Sequence, residues 1–170
     1  IALARLKHPQ IVTIHDITDS PDVGTYIVME LVEGESLQTV ISHQGRLDPS
    51  RAVAIIRQAC DAIEAAHRAG VLHRDIKPAN IVLETVGERE IAKVLDFGIA
   101  DLRGDESVST LLPEGIVGTP HYMAPEQAEG LTADARTDVY ALGCTLYAMV
   151  VGAPPFADSA GGVTDVLFCQ

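Results

Sequence analysis

Residues 71–80 read VLHRDIKPAN and residues 96–98 read DFG, and these two motifs flank a predicted β-hairpin. Residues 81–83 and 91–95 are its strands, and its turn lies around Gly87-Glu88. In a hairpin, the first strand begins and the second strand ends at the same open end, with the strands about 5 Å apart. The two motifs are therefore expected to lie side by side.

The side chains that this hairpin brings together suit phosphoryl transfer. Asn80 precedes the first strand and Asp96 follows the second, which places two oxygen donors together, as a hard cation such as Mg²⁺ requires. Asp75 would accept the proton of an attacking hydroxyl, and Lys77 would sit against the transferring phosphate. Each residue alone is more often a turn or surface residue, but the ordered set within one short span favours the functional interpretation.

Composition and charge exclude several other classes of protein. The 170 residues carry 12 Lys and Arg against 24 scattered Asp and Glu, a formal net charge of −12. This charge argues against nucleic acid or an anionic membrane surface as the main partner. With 47% hydrophobic and 21% charged residues, the chain is an ordinary globular one. The three cysteines, Cys60, Cys144 and Cys169, lie far apart and show neither metal-ligand nor disulfide spacing. This favours a reducing, cytoplasmic location. A membrane anchor elsewhere in the protein stays open.

Two long helices are predicted. The first covers about Pro49–Ala69, after the N-cap Asp48, and ends at Gly70. The second, about Asp138–Val151, is apolar nearly all round and is expected to be central and buried. The spacing of apolar residues in the first helix predicts that its buried face carries Val53, Ile56, Cys60, Ile63 and His67.

The first part of the chain predicts a second hairpin. Ile11–Ile17 and Tyr26–Leu31 are rich in β-branched and apolar residues, and Ser20–Gly24 between them has the composition of a turn. The polar stretch Glu33–Ser36 leads into a short helix over about Leu37–His43.

Together these motifs resemble the eukaryotic-type protein kinases. His73-Arg74-Asp75 with Asn80 is similar to their catalytic loop, and Asp96-Phe97-Gly98 to their metal-binding motif. Ala124-Pro125-Glu126 resembles the end of their activation segment. Lys77-Pro78 and Gly118-Thr119 resemble the serine/threonine kinases. The bacterial branch of that group is similar in Lys77-Pro78-Ala79-Asn80-Ile81 and Ala124-Pro125-Glu126-Gln127-Ala128.

The resemblance implies an α+β, protein-kinase-like fold, mainly the helical C-lobe with the last strands of the N-lobe. Residues 1–32 would be a remnant of the N-lobe and the hinge, and residues 33–170 a partial C-lobe. The Gly-rich loop and the nucleotide-binding lysine of the family are not in this sequence, so residues 1–170 alone are expected to turn over little or no substrate. The family's arginine partner for the residue at Glu126 also lies in later helices, so Glu126 is expected to be unpaired.

The same resemblance implies roles for single residues. Met29 is similar to the gatekeeper, the Glu30 carbonyl and the Val32 amide would pair with adenine, and Val82 would pack under it. His73 would be a packed histidine, stacked in an apolar column with Leu3, Ile14 and Phe97, rather than a base. The implied catalytic residues are Asp75, Lys77, Asn80, Asp96 and Thr119.

The implied cofactors are ATP and Mg²⁺, with Mn²⁺ as an alternative ion. Lys77, Asn80 and Asp96 would contact the nucleotide phosphates, and Asn80 and Asp96 would hold the metal. A phosphate on the activation segment would pair with the guanidinium of Arg74, although a merely mobile polar loop is the alternative. The candidate phosphorylation sites are Ser107, Ser109 and Thr110.

The function implied is transfer of the γ-phosphate of ATP to Ser or Thr hydroxyls of a protein. The expected partners are ATP and a protein substrate, with a dimer for trans-phosphorylation, and neither nucleic acid nor a membrane contact from this segment. Two alternatives stay open: a catalytically impaired fragment or kinase-like binding module, and a small-molecule phosphotransferase. The latter would not normally carry Lys77-Pro78, Gly118-Thr119 and Ala124-Pro125-Glu126.

Overall fold

The computed structural model describes residues 6–20, 22, 24–97 and 120–157. The first hairpin forms from strand β1, Ile14–Ser20, and strand β2, Gly24–Met29. The two strands pair antiparallel from Ile14 opposite Met29 to Ser20 opposite Gly24, with an irregularity between Ile14 and Asp16. The predicted hairpin is confirmed, but its first strand begins later than predicted because Ile11 and Val12 pair elsewhere.

Ile11 and Val12 are buried against the second sheet. Ile11 forms a parallel bridge with Val94, and the N–H of Val12 donates to the Val94 carbonyl at 3.1 Å. The N–H of Val94 in turn donates to the carbonyl of Gln10 at 2.8 Å. The segment that leads into β1 is therefore fixed to the strand that leads into Asp96.

The second sheet has the order β3-β4-β5, in which β3 is Gly34–Ser36, β4 is Ile81–Val86 and β5 is Arg89–Val94. The predicted hairpin of β4 and β5 is confirmed, with Gly87 in its turn at a φ of 63°. Strand β3 was not predicted, because its sequence is polar. A Cβ on Gly34 would lie 2.2 Å from the carbonyl oxygen of Leu83, so only glycine allows this strand to approach β4.

Helix α1, Leu37–Gln44, and helix α2, Pro49–Arg68, follow the predicted bounds closely. The Asp48 carboxylate caps α2 by accepting the N–H of Ser50 at 2.8 Å, as predicted. The predicted buried face of α2 is displaced by one residue, because Val53 is 57% exposed and Cys60 is exposed, although Ile63 is buried as predicted. The residues that α2 buries are mostly small, which lets the helix approach its neighbours closely: Ala52, Ile55, Ala59, Ala62, Ile63 and Ala66.

A single helical turn, α3, covers Pro125–Ala128, and the long helix α4 covers Ala135–Val151 and packs on α2. Helix α4 begins three residues earlier than predicted because Asp134 caps it by accepting the N–H of Arg136 at 2.8 Å. It is not buried all round, because Val139 is 62% and Tyr147 is 46% exposed. Its buried face instead includes three polar residues, each fully enclosed: Thr137, Asp138 and Thr145.

In the described part of the chain, every helix is too short or too polar to cross a lipid bilayer.

Candidate active site

The open end of the β4–β5 hairpin brings the two sequence motifs together. Ile81 pairs with Val94, and one step further the N–H of Leu95 donates to the Asn80 carbonyl at 2.9 Å. Asn80 therefore lies opposite Leu95, and Asp96 is the next residue along. The structure thus places the motifs that contain Asn80 and Asp96 side by side, as predicted.

Asp75 joins this end through its contacts with Asn80 and Lys77. The amide nitrogen of Asn80 donates to the Asp75 carbonyl at 2.8 Å and to the Asp75 carboxylate at 3.0 Å. The Lys77 ammonium donates to both carboxylate oxygens of Asp75, at 2.9 and 2.7 Å. The Asp75 side chain remains 58% exposed, while Lys77 is 19% exposed and Asn80 is buried. An acid held in place but open to solvent on one side can meet an incoming hydroxyl group.

The donor chemistry at this end fits a hard divalent cation. Because the amide nitrogen of Asn80 faces Asp75, its amide oxygen is the atom left for a cation, and Asp96 supplies an exposed carboxylate nearby. Within the described ranges, no three His, Cys, Asp or Glu residues form a metal cluster. A site with one amide and one carboxylate suits Mg²⁺, which keeps waters and shares substrate phosphates rather than filling an all-protein cage.

Two residues of the site have a left-handed backbone. Arg74 has a φ of 64° and Asp96 a φ of 57°, and Phe156 is the third non-glycine residue of this kind in the part of the chain described. Such a conformation costs an L-residue about 1–2 kcal/mol. Contacts from other elements must therefore hold these residues in place.

Helices α4 and α3 both contribute contacts that hold the backbone of Arg74. Asp138, fully buried in α4, accepts the N–H of Arg74 at 2.8 Å and the N–H of His73 at 2.9 Å. It also contacts the imidazole Nε2 of His67 at 2.6 Å. From α3, the side-chain amide of Gln127 donates to the Arg74 carbonyl at 2.8 Å.

His73 is a packed histidine, as predicted. It is 1% exposed, and its ring lies 4.6 Å from that of Phe97. Its Nε2 donates to the Leu95 carbonyl at 2.9 Å, and its Nδ1 accepts the N–H of Asp75 at 3.3 Å. Burial lowers the pKa of this imidazole below its ordinary value, which agrees with a neutral ring that uses one nitrogen as donor and the other as acceptor.

The predicted adenine-binding residues lie at the end of β2 and beyond it. Met29 closes β2, and the N–H of Glu30 donates to the Thr13 carbonyl at 2.9 Å. The Glu30 carboxylate forms an ion pair of 2.6 Å with Lys93, on β5. Burial raises the pKa of Glu30, but hydrogen bonds from Lys93 and Thr13 outweigh this effect and hold the pKa below its usual value. Val82, the cross-strand partner of Lys93, is half-buried.

Other predicted residues lie outside the described part of the chain. The exposed side chain of Arg74 is within it, but the candidate phosphorylation sites and Thr119 are not. This applies to Leu3, Gly98, Ser107, Ser109, Thr110, Gly118 and Thr119.

Glu126, which was expected to lack its arginine partner, accepts a hydrogen bond of 2.6 Å from the Thr137 hydroxyl. Sequence reasoning also missed three residues that contact the site: Asp138, Gln127 and Lys93. Only Asp138 gave a signal, an acid at the start of an otherwise apolar helix.

The comparisons with known proteins agree with this fold and site. The protein kinase domain family matches residues 1–166, and the chain belongs to that family. The chain is 43% identical over 156 residues to the serine/threonine-protein kinase PknB of Mycolicibacterium smegmatis, and 42% identical to PknB of Mycobacterium tuberculosis. Each alignment covers 90% of this chain and 24% of the relative, so the chain spans about a quarter of the length of these relatives.

A solved structure also shares the fold. The kinase domain of Mycobacterium tuberculosis PknI superposes with a TM-score of 0.72 at 31% sequence identity. The match covers 91% of this chain and 55% of that one. The fold is thus protein-kinase-like, with mixed helices and sheets, and the chain forms part of such a domain.

Proposed function

We propose that the protein containing this chain is a serine/threonine kinase that transfers the γ-phosphate of ATP to hydroxyl groups of a protein substrate. The observation that supports this most directly is the hydrogen-bonded set of Asp75, Lys77 and Asn80, with Asp96 beside Asn80. The PknB relatives are named for this activity.

Each residue of the set has a separate task in the proposal. Asp75 orients the substrate hydroxyl and accepts its proton, because its carboxylate is held at one side and open at the other. Lys77 neutralises charge on the transferring phosphate. Asn80 and Asp96 hold Mg²⁺, which when bound screens the charge on the nucleotide phosphates. Thr119 is proposed to contact Asp75 and Lys77.

The nucleotide is proposed to lie between the end of β2 and the open end of the β4–β5 hairpin. The Glu30 carbonyl and the Val32 amide would pair with the adenine edge, next to Met29, and Val82 would pack against the ring. On this proposal residues 1–32 belong to the N-lobe and hinge, and residues 33–170 to the C-lobe. We also propose that Ser107, Ser109 or Thr110 is phosphorylated and that Arg74 binds the phosphate. A cytoplasmic location is a further proposal.

The test is phosphate transfer by the full-length protein to a generic Ser/Thr-containing protein such as casein, with [γ-³²P]ATP. We expect Asp75→Asn to lower kcat by roughly two or more orders of magnitude, the usual scale for a catalytic acid or base. The KM for ATP should change little. Asp48→Asn is the matched control, because it removes a carboxylate of the same size from a helix cap where asparagine works equally well.

Several outcomes would contradict the proposal. An Asp75→Asn variant with wild-type activity would remove Asp75 from the mechanism. Nucleotide binding without transfer to any protein would support a binding module instead. Transfer only to small alcohols, with no phosphoserine or phosphothreonine in the acceptor protein, would support a small-molecule phosphotransferase.

A further inference from the structure

The peptide unit between Arg74 and Asp75 is held at both of its polar atoms. Its carbonyl, from Arg74, accepts the side-chain amide of Gln127 at 2.8 Å. Its N–H, from Asp75, donates to the imidazole of His73 at 3.3 Å. The orientation of this peptide plane sets the direction in which the Asp75 side chain leaves the backbone.

Gln127 is itself fixed at the start of α3. Its side-chain oxygen accepts the N–H of Ala124 at 3.1 Å, and its backbone N–H donates to the Ala124 carbonyl at 2.9 Å. With its oxygen bound to Ala124, the amide nitrogen is directed at Arg74. The side chain therefore acts as a short, rigid bridge from α3 to the catalytic loop.

The bridge matters because the Arg74 carbonyl belongs to the peptide that leads directly into Asp75. Asp138 fixes the N–H of Arg74, but it makes no contact with the carbonyl on the other side of that residue. Without a donor at the carbonyl, the peptide between Arg74 and Asp75 loses one of the two hydrogen bonds that fix its rotation about ψ of Arg74 and φ of Asp75. Such a rotation would turn Asp75 away from Lys77 and Asn80.

We propose that Gln127 is a positioning residue for phosphoryl transfer, which orients Asp75 by binding the Arg74 carbonyl. This inference rests on the proposed function, since it assigns to Asp75 the role given there. Gln127 does not touch the proposed nucleotide-binding residues among the contacts of the described chain. Its loss should therefore change kcat and leave nucleotide affinity alone.

Two substitutions in the full-length protein test the bridge. Gln127→Met keeps the length of the side chain but removes both hydrogen bonds, and Gln127→Glu keeps the acceptor for Ala124 while replacing the donor with a second acceptor. We expect each to lower kcat by roughly tenfold, the order expected when one positioning hydrogen bond is lost. The KM for ATP should stay within about twofold.

Gln58 provides the matched control. Its side-chain nitrogen donates to the Glu90 carbonyl at 3.2 Å, and its oxygen accepts the N–H of Ala92 at 3.1 Å. Gln58→Met therefore removes the same kinds of bond from a side chain that bridges α2 to β5. It should lower the Tm by about as much as Gln127→Met while kcat stays within about twofold.

The inference is overturned if both Gln127 variants keep kcat within twofold of wild type, or if Gln58→Met lowers kcat equally. Should Gln127→Met fail to fold, Gln127→Glu decides, because it retains the cap on α3. Asp75→Asn measured alongside separates the two claims. An inactive Asp75→Asn variant with fully active Gln127 variants refutes the positioning role alone. An Asp75→Asn variant with wild-type activity refutes the role given to Asp75, and a wild-type protein that transfers no phosphate to the acceptor protein refutes the proposed function itself.

Discussion

The carboxylate of Asp138 accepts the backbone N–H of Arg74 at 2.8 Å, although the two residues are 64 positions apart in the sequence. Asp138 is fully buried near the start of α4, and Arg74 is the left-handed residue that precedes Asp75. The same carboxylate accepts the N–H of His73 and contacts His67. A single buried acid thus holds the segment that precedes Asp75 against the helical core.

Asp138→Asn should destabilise the protein and lower its activity together. Asparagine offers one acceptor oxygen where the carboxylate offers two, so its NH₂ group would face a backbone N–H of His73 or Arg74. Leaving buried donors unsatisfied in this way should cost about 2–4 kcal/mol of unfolding free energy, measured by urea denaturation. Asp134→Asn, at the exposed cap of the same helix, should have little effect, because asparagine caps equally well. Equal losses in the two variants would argue against the role of Asp138 in holding His73 and Arg74.

Two buried threonines on α4 should respond in opposite ways to replacement by valine. Thr137 and Thr145 are both 0% exposed, but Thr137 donates to Glu126 at 2.6 Å, whereas the hydroxyl of Thr145 has no partner in the described structure. Thr137→Val should cost about 1 kcal/mol or more, and Thr145→Val should be stabilising by up to about 1 kcal/mol. Thermal unfolding of the two variants checks this, and a loss of stability in Thr145→Val would contradict it.

Local chemistry accounts for the features that were predictable from the sequence. The Asp48 cap, Pro49 at the first helical position and the turn at Gly87 each depend on a few neighbouring residues. The β4–β5 hairpin follows from the same kind of signal, and it alone places Asn80 next to Asp96. The centre of the candidate site was therefore predictable from residues 71–98.

Features that depend on distant contacts were not predictable in this way. The buried face of α2 is lined by alanines such as Ala59 and Ala62. A prediction that gives more weight to large apolar residues places the buried face one residue away, which is about 100° around the helix. Gln127 lies 53 residues from its partner Arg74, and Lys93 lies 63 from Glu30. The sequence around a polar or charged residue does not indicate which distant residue it will bind.

The ion pair of Glu30 and Lys93 should matter for nucleotide affinity. It joins the predicted hinge to β5, the strand that leads to Asp96, and both side chains are largely shielded from solvent. Lys93→Met should free the hinge and raise the KM for ATP by roughly three- to tenfold in the full-length protein, with little change in kcat. Arg51→Met is the control, since it breaks an ion pair to Glu90 on the same strand without reaching the hinge. Equal KM values in the two variants would show that the link to the hinge has no effect on binding.

The buried imidazole of His73 should make stability fall in mild acid. Burial lowers the pKa of His73 in the folded protein, so below the unfolded-state pKa of about 6.5 the unfolded chain takes up a proton that the folded protein does not. The stability that the neutral His73 contributes is therefore fully present above the unfolded-state pKa. It is lost as the pH falls from the unfolded-state pKa toward the folded-state pKa. Replacing His73 with Phe should flatten the dependence of Tm on pH between about 7.5 and about 5, the range in which histidine titrates. His43→Gln, at an exposed site in the last turn of α1, controls for the loss of one histidine, and an unchanged slope in His73→Phe would contradict the assignment.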